Sequence, residues 1–294
     1  MHAHDRPGAT LVIVQPLCKL SIERRGAVSK FTVSELAIYP VKSLGGIALS
    51  IMSLAARGPL FDRHWVVTNP QGQFLTQRQQ PRMCLIKTML RSDALELSAP
   101  GMQPLHIALP IAAGGQRGSV TVWEDTIMAC DMGAVAADWL STFLNCACRL
   151  HYMPGDSVRP VDPDYARSGD QVGFADGFPL LLIAEASLQA FNAELPMAIG
   201  SERFRPNIVI EGSAPYAEDE WRRLRIGNTE FDVVKPCSRC VIPSLDPLTA
   251  QRQPIVSKTL ARTRRRGDAV YFGQNLIHRG FGSIAVGDSV TVLA

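Results

Sequence analysis

The chain has 294 residues, 46% apolar and 19% charged, so it can bury a sizeable core as one large domain or two ordinary ones and is not globally disordered. A net charge of +3 excludes a broad nucleic-acid surface but allows a local basic pocket for a small anion. Seven cysteines, an odd number, do not make a disulfide framework, and no apolar run approaches the about 20 residues of a membrane span. The expectation is a cytoplasmic protein in a reducing compartment, without nucleic-acid or membrane partners.

Residues 1–30 carry little pattern and read as a poorly ordered leader, with strand character only at 10–14. From residue 33 short strands dominate. Residues 33–39 alternate apolar and polar imperfectly and stop at Pro40. Residues 65–68 and 73–76, joined by Asn69-Pro-Gln-Gly72, predict a hairpin. Further strands are expected at 83–90, 94–97 and 119–123, a density that suits a barrel or sandwich. A helix is expected over 132–144, with Val135, Trp139, Leu140, Phe143 and Leu144 on one apolar face. The Pro-, Asp- and Arg-rich stretch 154–169 reads as a domain linker.

The second half opens with an apolar strand at 178–183. A helix at 185–195 follows, with Leu188, Phe191 and Leu195 on one side. A buried strand is expected at 207–212, then strands at 221–226 and 231–234, and a closing pair at 284–292 around Gly287-Asp288. The basic run Arg262-Thr-Arg-Arg-Arg266 reads as a solvated loop, and Asp62 and Asp170 as ordinary loop residues. The fold class is mostly β with α (α+β).

The most informative stretch is Lys235-Pro-Cys237-Ser-Arg239-Cys240-Val-Ile-Pro243-Ser-Leu-Asp246-Pro247. Its prolines forbid a regular helix. Two thiols in such a loop leave several readings open: half of a zinc site, the holder of a soft-metal cofactor, a dithiol redox pair, or two small buried hydrophobes. Zinc would need a second pair, and Cys146-Ala-Cys148 has an unusual gap for one. The redox reading lacks the helix N-terminus that lowers a thiol's pKa. Cations at turns tilt the balance: Lys42-Ser43, Asp62-Arg63, Gln77-Arg78, Arg205-Pro206-Asn207 and Ser238-Arg239. Converging with a thiolate, they would describe a pocket for an anionic organic ligand carrying a soft metal.

Larger pieces run in order from about residue 33 to the end. They are Tyr39-Pro-Val-Lys-Ser43, Asp62-Arg63-x-Trp65, Leu75-Thr-Gln-Arg78-x-x-Pro81-Arg82, Phe174-Ala-Asp176-Gly177-x-Pro179, Glu185-Ala-Ser-Leu188, Arg203-Phe-Arg-Pro-Asn207, Tyr216-Ala-Glu-Asp219-x-Trp221, Cys237-Ser-Arg-Cys240 and Phe272-Gly-Gln-Asn275. With these the chain resembles the MOSC proteins that carry an extra N-terminal barrel domain, the mitochondrial amidoxime-reducing component and YcbX-like proteins.

The resemblance implies an N-terminal β-barrel domain at 31–150, a β-barrel MOSC domain at 151–294, and a molybdenum–molybdopterin cofactor in the cleft between them. It implies that Cys240 is the catalytic, metal-ligating thiolate, with Cys237 as neighbour, and that Asp176 is a catalytic group beside the metal. Lys42, Ser43, Arg63, Arg205, Asn207, Ser238 and Arg239 would hold the pterin and its phosphate, with Arg78 and Arg82 in support. The implied activity is reduction of N–O bonds in hydroxylamines, amidoximes and other N-hydroxylated bases. Electrons would come from a separate flavin, haem or iron–sulfur protein. The family's Thr-Thr-Val-Asp-Pro is here Pro243-Ser-Leu-Asp246-Pro247, which puts substrate scope in doubt. Two rivals stand beside this reading: a non-catalytic carrier of the cofactor or its sulfur, and a domain stapled by zinc at Cys237, Cys240, Cys146 and Cys148.

Overall fold

The computed structural model describes residues 31–109 and 116–294, so the expected leader and the strand at 10–14 lie outside the described residues. The fold is mostly β, with helices α1 (Ala134–Leu144), α2 (Glu185–Asn192) and α3 (Pro254–Arg264).

Seven strands close into a barrel. Phe31–Ile38 pairs with Ile208–Glu211 on one side and Ser289–Val292 on the other. The ring continues through Arg223–Ile226, Thr229–Ser238 and Ala269–His278. It shuts where Ala269–His278 meets Leu180–Ala184, which pairs in turn with Ile208–Glu211. Closure leaves no free edge in the ring. Leu180–Ala184 is buried at every position, as expected of a strand covered on both faces. It runs parallel to Ile208–Glu211, and α2 lies on the crossover that a parallel pair requires. Leu36, Met52, Leu182, Ile210, Phe231 and Leu276 belong to the core it encloses.

The remaining strands form smaller sheets. Trp65–Thr68, Arg149–Tyr152, Asp125–Asp131 and Arg117–Val122 make one, and Lys87–Leu90, Ala94–Ser98 and Leu105–Ala108 another. Helix α1 packs Leu140, Phe143 and Leu144 into the cluster that holds Trp65, Leu95, Ile107 and Leu150. The sheets do not respect a boundary at residue 150. Phe31–Ile38, read from sequence as part of the first domain, is a stave of the barrel built by the second half. Ile51–Ala55 likewise pairs with Gly282–Ala285.

Several local expectations change. Val135 is 73% exposed, and the buried face of α1 is Ala136, Ala137, Leu140, Phe143 and Leu144. Two of the five are alanines, which a search for large apolar residues overlooks, while Leu140, Phe143 and Leu144 stand where they were expected. The expected strand at 83–90 opens as a 3-10 turn, Pro81–Leu85, because proline at its start suits a turn. The expected hairpin forms, though its second arm is short: Phe74 bridges Thr68, Asn69 N donates to the Gln73 carbonyl and Leu75 N to the Val67 carbonyl, both at 2.8 Å, and Arg149–Tyr152 also pairs with Trp65–Thr68. The basic run is not a loop: it closes α3 and begins the short strand Arg265–Arg266, with Arg264 buried and donating to Asp219 at 2.6 Å. The stretch 154–169, read as a domain linker, is held in place at its start. Buried Arg57 donates to the carbonyls of Met153, Pro154 (2.6 Å) and Ser157, tying down the start of that stretch.

Candidate functional site

The cleft forms where the open end of the barrel meets the first half of the chain. It encloses about 920 Å³ of empty space, part of it open to solvent. The residues expected to hold the cofactor or carry the chemistry line it: Lys42, Ser43, Arg63, Asp176, Arg205, Asn207, Ser238, Arg239 and Cys240. Cys237 and Arg78 line it too, but Arg82 stacks on Phe143 in the first-half core, 4.5 Å from the ring centre.

Local backbone explains this convergence. The strand Thr229–Ser238 shifts register between Val233 and Lys235 and again between Pro236 and Ser238. Such bulges re-aim side chains at the end of a ladder. They deliver Cys237 half-buried and Ser238 and Cys240 exposed at the cleft. Asn275 clamps the bulge by donating to the Lys235 carbonyl at 3.1 Å. After Cys240 the 3-10 turn Ile242–Ser244 leads to Asp246, whose carboxylate accepts from Leu248 N (2.8 Å), Thr249 N (3.2 Å) and Arg203 (3.4 Å).

Four of the eight described non-glycine residues with positive φ border this cleft or the vestibule beside it: Ser43 (69°), Arg63 (49°), Trp123 (56°) and Arg205 (56°). Backbone strain of this kind, about 1–3 kcal/mol each, persists where surrounding structure over-determines it.

The cationic wall is braced from behind. Arg63 and Arg205 both stack on buried Tyr39, at 4.4 and 4.1 Å from its ring centre. Arg63 also donates to both oxygens of Asp62 (2.7 and 2.6 Å), to Asn207 Oδ1 (3.1 Å) and to the Arg205 carbonyl (3.1 Å). Arg205 donates to the Leu44 carbonyl at 2.6 Å. Asn207 is 1% exposed; its Oδ1 also accepts from Leu181 N, and its amide donates to the Ala37 carbonyl. Its amide therefore ties three barrel strands together. Arg239 donates to the carbonyls of Phe272 (2.9 Å) and Phe204 (3.0 Å).

Lys42 is 5% exposed and donates to Asp176 Oδ1 at 2.6 Å. Burial pushes the ammonium below its ordinary range, and Asp176 opposes that shift. Asp176 has a 78% exposed side chain, because it hangs into the open cleft. The protein walls around it disfavour its charge, yet the charge and hydrogen bond of Lys42 hold its carboxyl well below the usual range. It stays a carboxylate. Burial pushes the Cys237 thiol up, with Arg239 opposing.

The donor set fits an anionic cofactor. Six cations and one carboxylate line the cleft: Lys42, Arg63, Arg78, Arg203, Arg205 and Arg239 against Asp176. Three of the guanidiniums carry a buried nitrogen with no partner, Arg203 Nη1, Arg205 Nη2 and Arg239 Nη2. Unpaired buried donors are costly, and a phosphate would satisfy them. Burial and then the neighbouring Arg63 push Arg205 down to about 10, the mark of a cation short of counter-charge. An exposed thiol beside this wall suits a soft metal. The zinc reading lacks its geometry. Cys148 is buried with the α1 core, and among the described residues no three His, Cys, Asp or Glu side chains converge as ligands.

Sequence reasoning missed the residues that hold the site together. Asp62, read as a loop acid, pairs with Arg63, and Asp170 pairs with Arg279 at 2.8 Å. Arg159, 3% exposed, donates to the carbonyls of Gly173 (2.9 Å), Ala175 (2.6 Å) and Asp176 (3.2 Å) and so fixes the loop that carries Asp176. The one signal for Asp62 was its place directly before Arg63. For Arg159 there was none beyond a basic residue in a proline-rich stretch.

Comparison with known proteins gives two family matches: the MOSC N-terminal beta barrel domain over residues 30–147 and the MOSC domain over residues 169–291. The chain is 36% identical over 279 residues to mitochondrial amidoxime-reducing component 1 of Mus musculus, covering 89% of this chain and 82% of that protein. The Homo sapiens protein of the same name is also 36% identical, over 283 residues, covering 89% and 83%. Molybdenum cofactor sulfurase of Homo sapiens is 30% identical over 277 residues, 86% of this chain but 30% of that protein. The expectation of a cytoplasmic location is overturned by these findings: the amidoxime-reducing relatives are named mitochondrial, which points away from the cytoplasm.

Proposed function

The chain belongs to the MOSC family whose members carry an N-terminal MOSC beta barrel, and from that premise we propose that it is a molybdenum-cofactor-dependent reductase of N-hydroxylated compounds. The observation that carries the reading is the juxtaposition of an exposed Cys240 with a wall of cations that includes three unpartnered guanidinium nitrogens. The overall reaction is R–NH–OH + 2 e⁻ + 2 H⁺ → R–NH2 + H2O. When bound, the molybdenum cofactor supplies the two-electron centre that accepts the oxygen.

The chain's own residues do the rest. Cys240 offers the metal ligand. Arg203, Arg205 and Arg239 hold the pterin phosphate through their free N–H groups, with Lys42, Ser43 and Ser238 beside them. Arg63 and Asn207 act from behind, because their polar atoms are already engaged in fixing Arg205 and the strands. Asp176 presents Oδ2, which no hydrogen bond reaches among the described residues, to the N–OH group of a substrate or to water. The two electrons come from a separate flavin, haem or iron–sulfur protein. The first barrel unit spans about 31–150 and the MOSC unit about 151–294, with the strand Phe31–Ile38 exchanged into the latter.

The carrier reading draws on the sulfurase relative, and turnover separates the two. Protein purified from a host that makes the cofactor is expected to hold molybdenum and pterin near one per chain. It is also expected to reduce an amidoxime with a chemical electron donor. Molybdenum and pterin without turnover would favour the carrier; zinc without pterin would defeat both.

A further inference from the structure

A second, wider space of about 2040 Å³, much of it open to solvent, adjoins the cofactor cleft and shares Arg78, Asp176, Cys237, Ser238, Arg239 and Cys240 with it. Its chemistry differs. Four cations, Arg78, Arg159, Lys235 and Arg239, face four carboxylates, Glu124, Asp125, Asp162 and Asp176. The cleft behind has six cations to one acid. Three aromatic rings, Phe74, Trp123 and Phe178, line the charge-balanced space. A vestibule without excess charge and with ring surfaces suits an uncharged, flat organic molecule rather than an anion.

Trp123 dominates that wall. It stands at the tip of the hairpin between Arg117–Val122 and Asp125–Asp131, with φ 56°, an outlying backbone conformation for a bulky residue. Its indole is fixed on three sides. Nε1 donates to Asp176 Oδ1 at 3.3 Å, the Arg78 guanidinium lies 4.6 Å from the ring centre, and Phe74 lies 5.1 Å away. It nevertheless stays 45% exposed. A large, held ring left partly open in the space that Cys240 also lines is a stacking surface at low entropic cost.

We propose that Trp123 is a specificity-determining residue: it stacks the planar, conjugated part of an uncharged N-hydroxylated substrate while the N–OH group reaches past Asp176 toward Cys240. The inference rests on the reductase reading for its substrate class. It makes aromatic amidoximes better substrates than small aliphatic ones, by binding rather than by chemistry.

The test compares benzamidoxime with acetamidoxime in the cofactor-loaded enzyme, as wild type, Trp123→Phe and Trp123→Ala. The aromatic-to-aliphatic ratio of kcat/KM is expected to fall roughly fivefold to tenfold in the alanine variant, carried by KM. It is expected to hold within about twofold in the phenylalanine variant, which keeps a ring but lacks Nε1. An equal loss of the ratio in both variants would overturn the proposal, since the effect would then run through the hydrogen bond to Asp176. An unchanged ratio in the alanine variant would overturn it too. Benzamidoxime binding to the folded variants, read by ligand-observed NMR, keeps the two readings apart. Weaker binding in Trp123→Ala supports the stacking site even if no turnover occurs, whereas failure of all turnover defeats only the reductase reading. Equal binding in wild type and Trp123→Ala defeats the stacking site.

Discussion

At the scale of single residues, the two thiols of one loop differ in kind. Cys240 is exposed in the cleft, and Cys237 is half-buried with its thiol pushed up by burial. Thiolate is the reactive form, so a mild alkylating agent near pH 7.5 should modify Cys240 well before Cys237. Peptide mass mapping reads this directly, and cofactor-loaded protein should be protected at Cys240. Modification of Cys237 first would reverse the assignment. The buried pair Asp62–Arg63 makes a second prediction. Removing the carboxylate leaves a guanidinium uncompensated beneath Arg205, so Asp62→Ala should cost about 3–5 kcal/mol of stability. Asp62→Asn, which keeps an acceptor, should cost less. Chemical denaturation of both variants checks the order.

At the scale of elements, the barrel depends on the seam between Leu180–Ala184 and Ala269–His278. Gly273 sits in that seam at φ 76°, and a Cβ there would come within 2.6 Å of the Leu182 carbonyl oxygen and of Ile183 Cγ2. Backbone cannot yield cheaply, so Gly273→Ala should lower stability by about 2 kcal/mol or more, seen as a lower urea midpoint. An unchanged midpoint would mean the seam is looser than it looks. This seam also shows what sequence could and could not reveal. Cations beside prolines and small polar residues, at 42–43, 63, 205 and 238–239, were legible because turn chemistry is local. The buried strand at 207–212 was legible from its apolar run. The pairing of Phe31–Ile38 with Ser289–Val292 was not, since it joins the two ends of the described chain and leaves no local trace. Helix α3 escaped because Pro254 and the arginine run obscure its period, although proline at a first helical position is favourable. Asp62 and Arg159 escaped because a buried partner and a solvated one are spelled with the same letters.

At the scale of the whole molecule, the site exists only when both halves are folded together. Lys42, Ser43, Arg63 and Arg78 come from one half, and Asp176, Arg205, Arg239 and Cys240 from the other. Global stability and site integrity should therefore fall together. Three buried or half-buried histidines resist protonation: burial, then Arg57, pushes His64 down to about 4, and burial also lowers His151 and His278. Because these imidazoles resist protonation in the folded chain, the unfolded chain binds more protons below pH 6.5. Their stability contribution is complete above that pH and shrinks as pH falls, for His64 down to about 4, with His64 alone costing roughly 2 kcal/mol at pH 5. A His64→Leu variant should lose part of that slope in denaturation measured from pH 7.5 to 5; an unchanged slope would exclude His64 as its source. On the proposed reading, the arrangement presents the Cys240 sulfur to one metal. Molybdenum-edge X-ray absorption of the cofactor-loaded protein counts the sulfur atoms around that metal. Cys240→Ser should show one sulfur fewer than wild type, and Cys237→Ser the same number. An unchanged count in Cys240→Ser, or a loss in Cys237→Ser alone, would contradict the assignment.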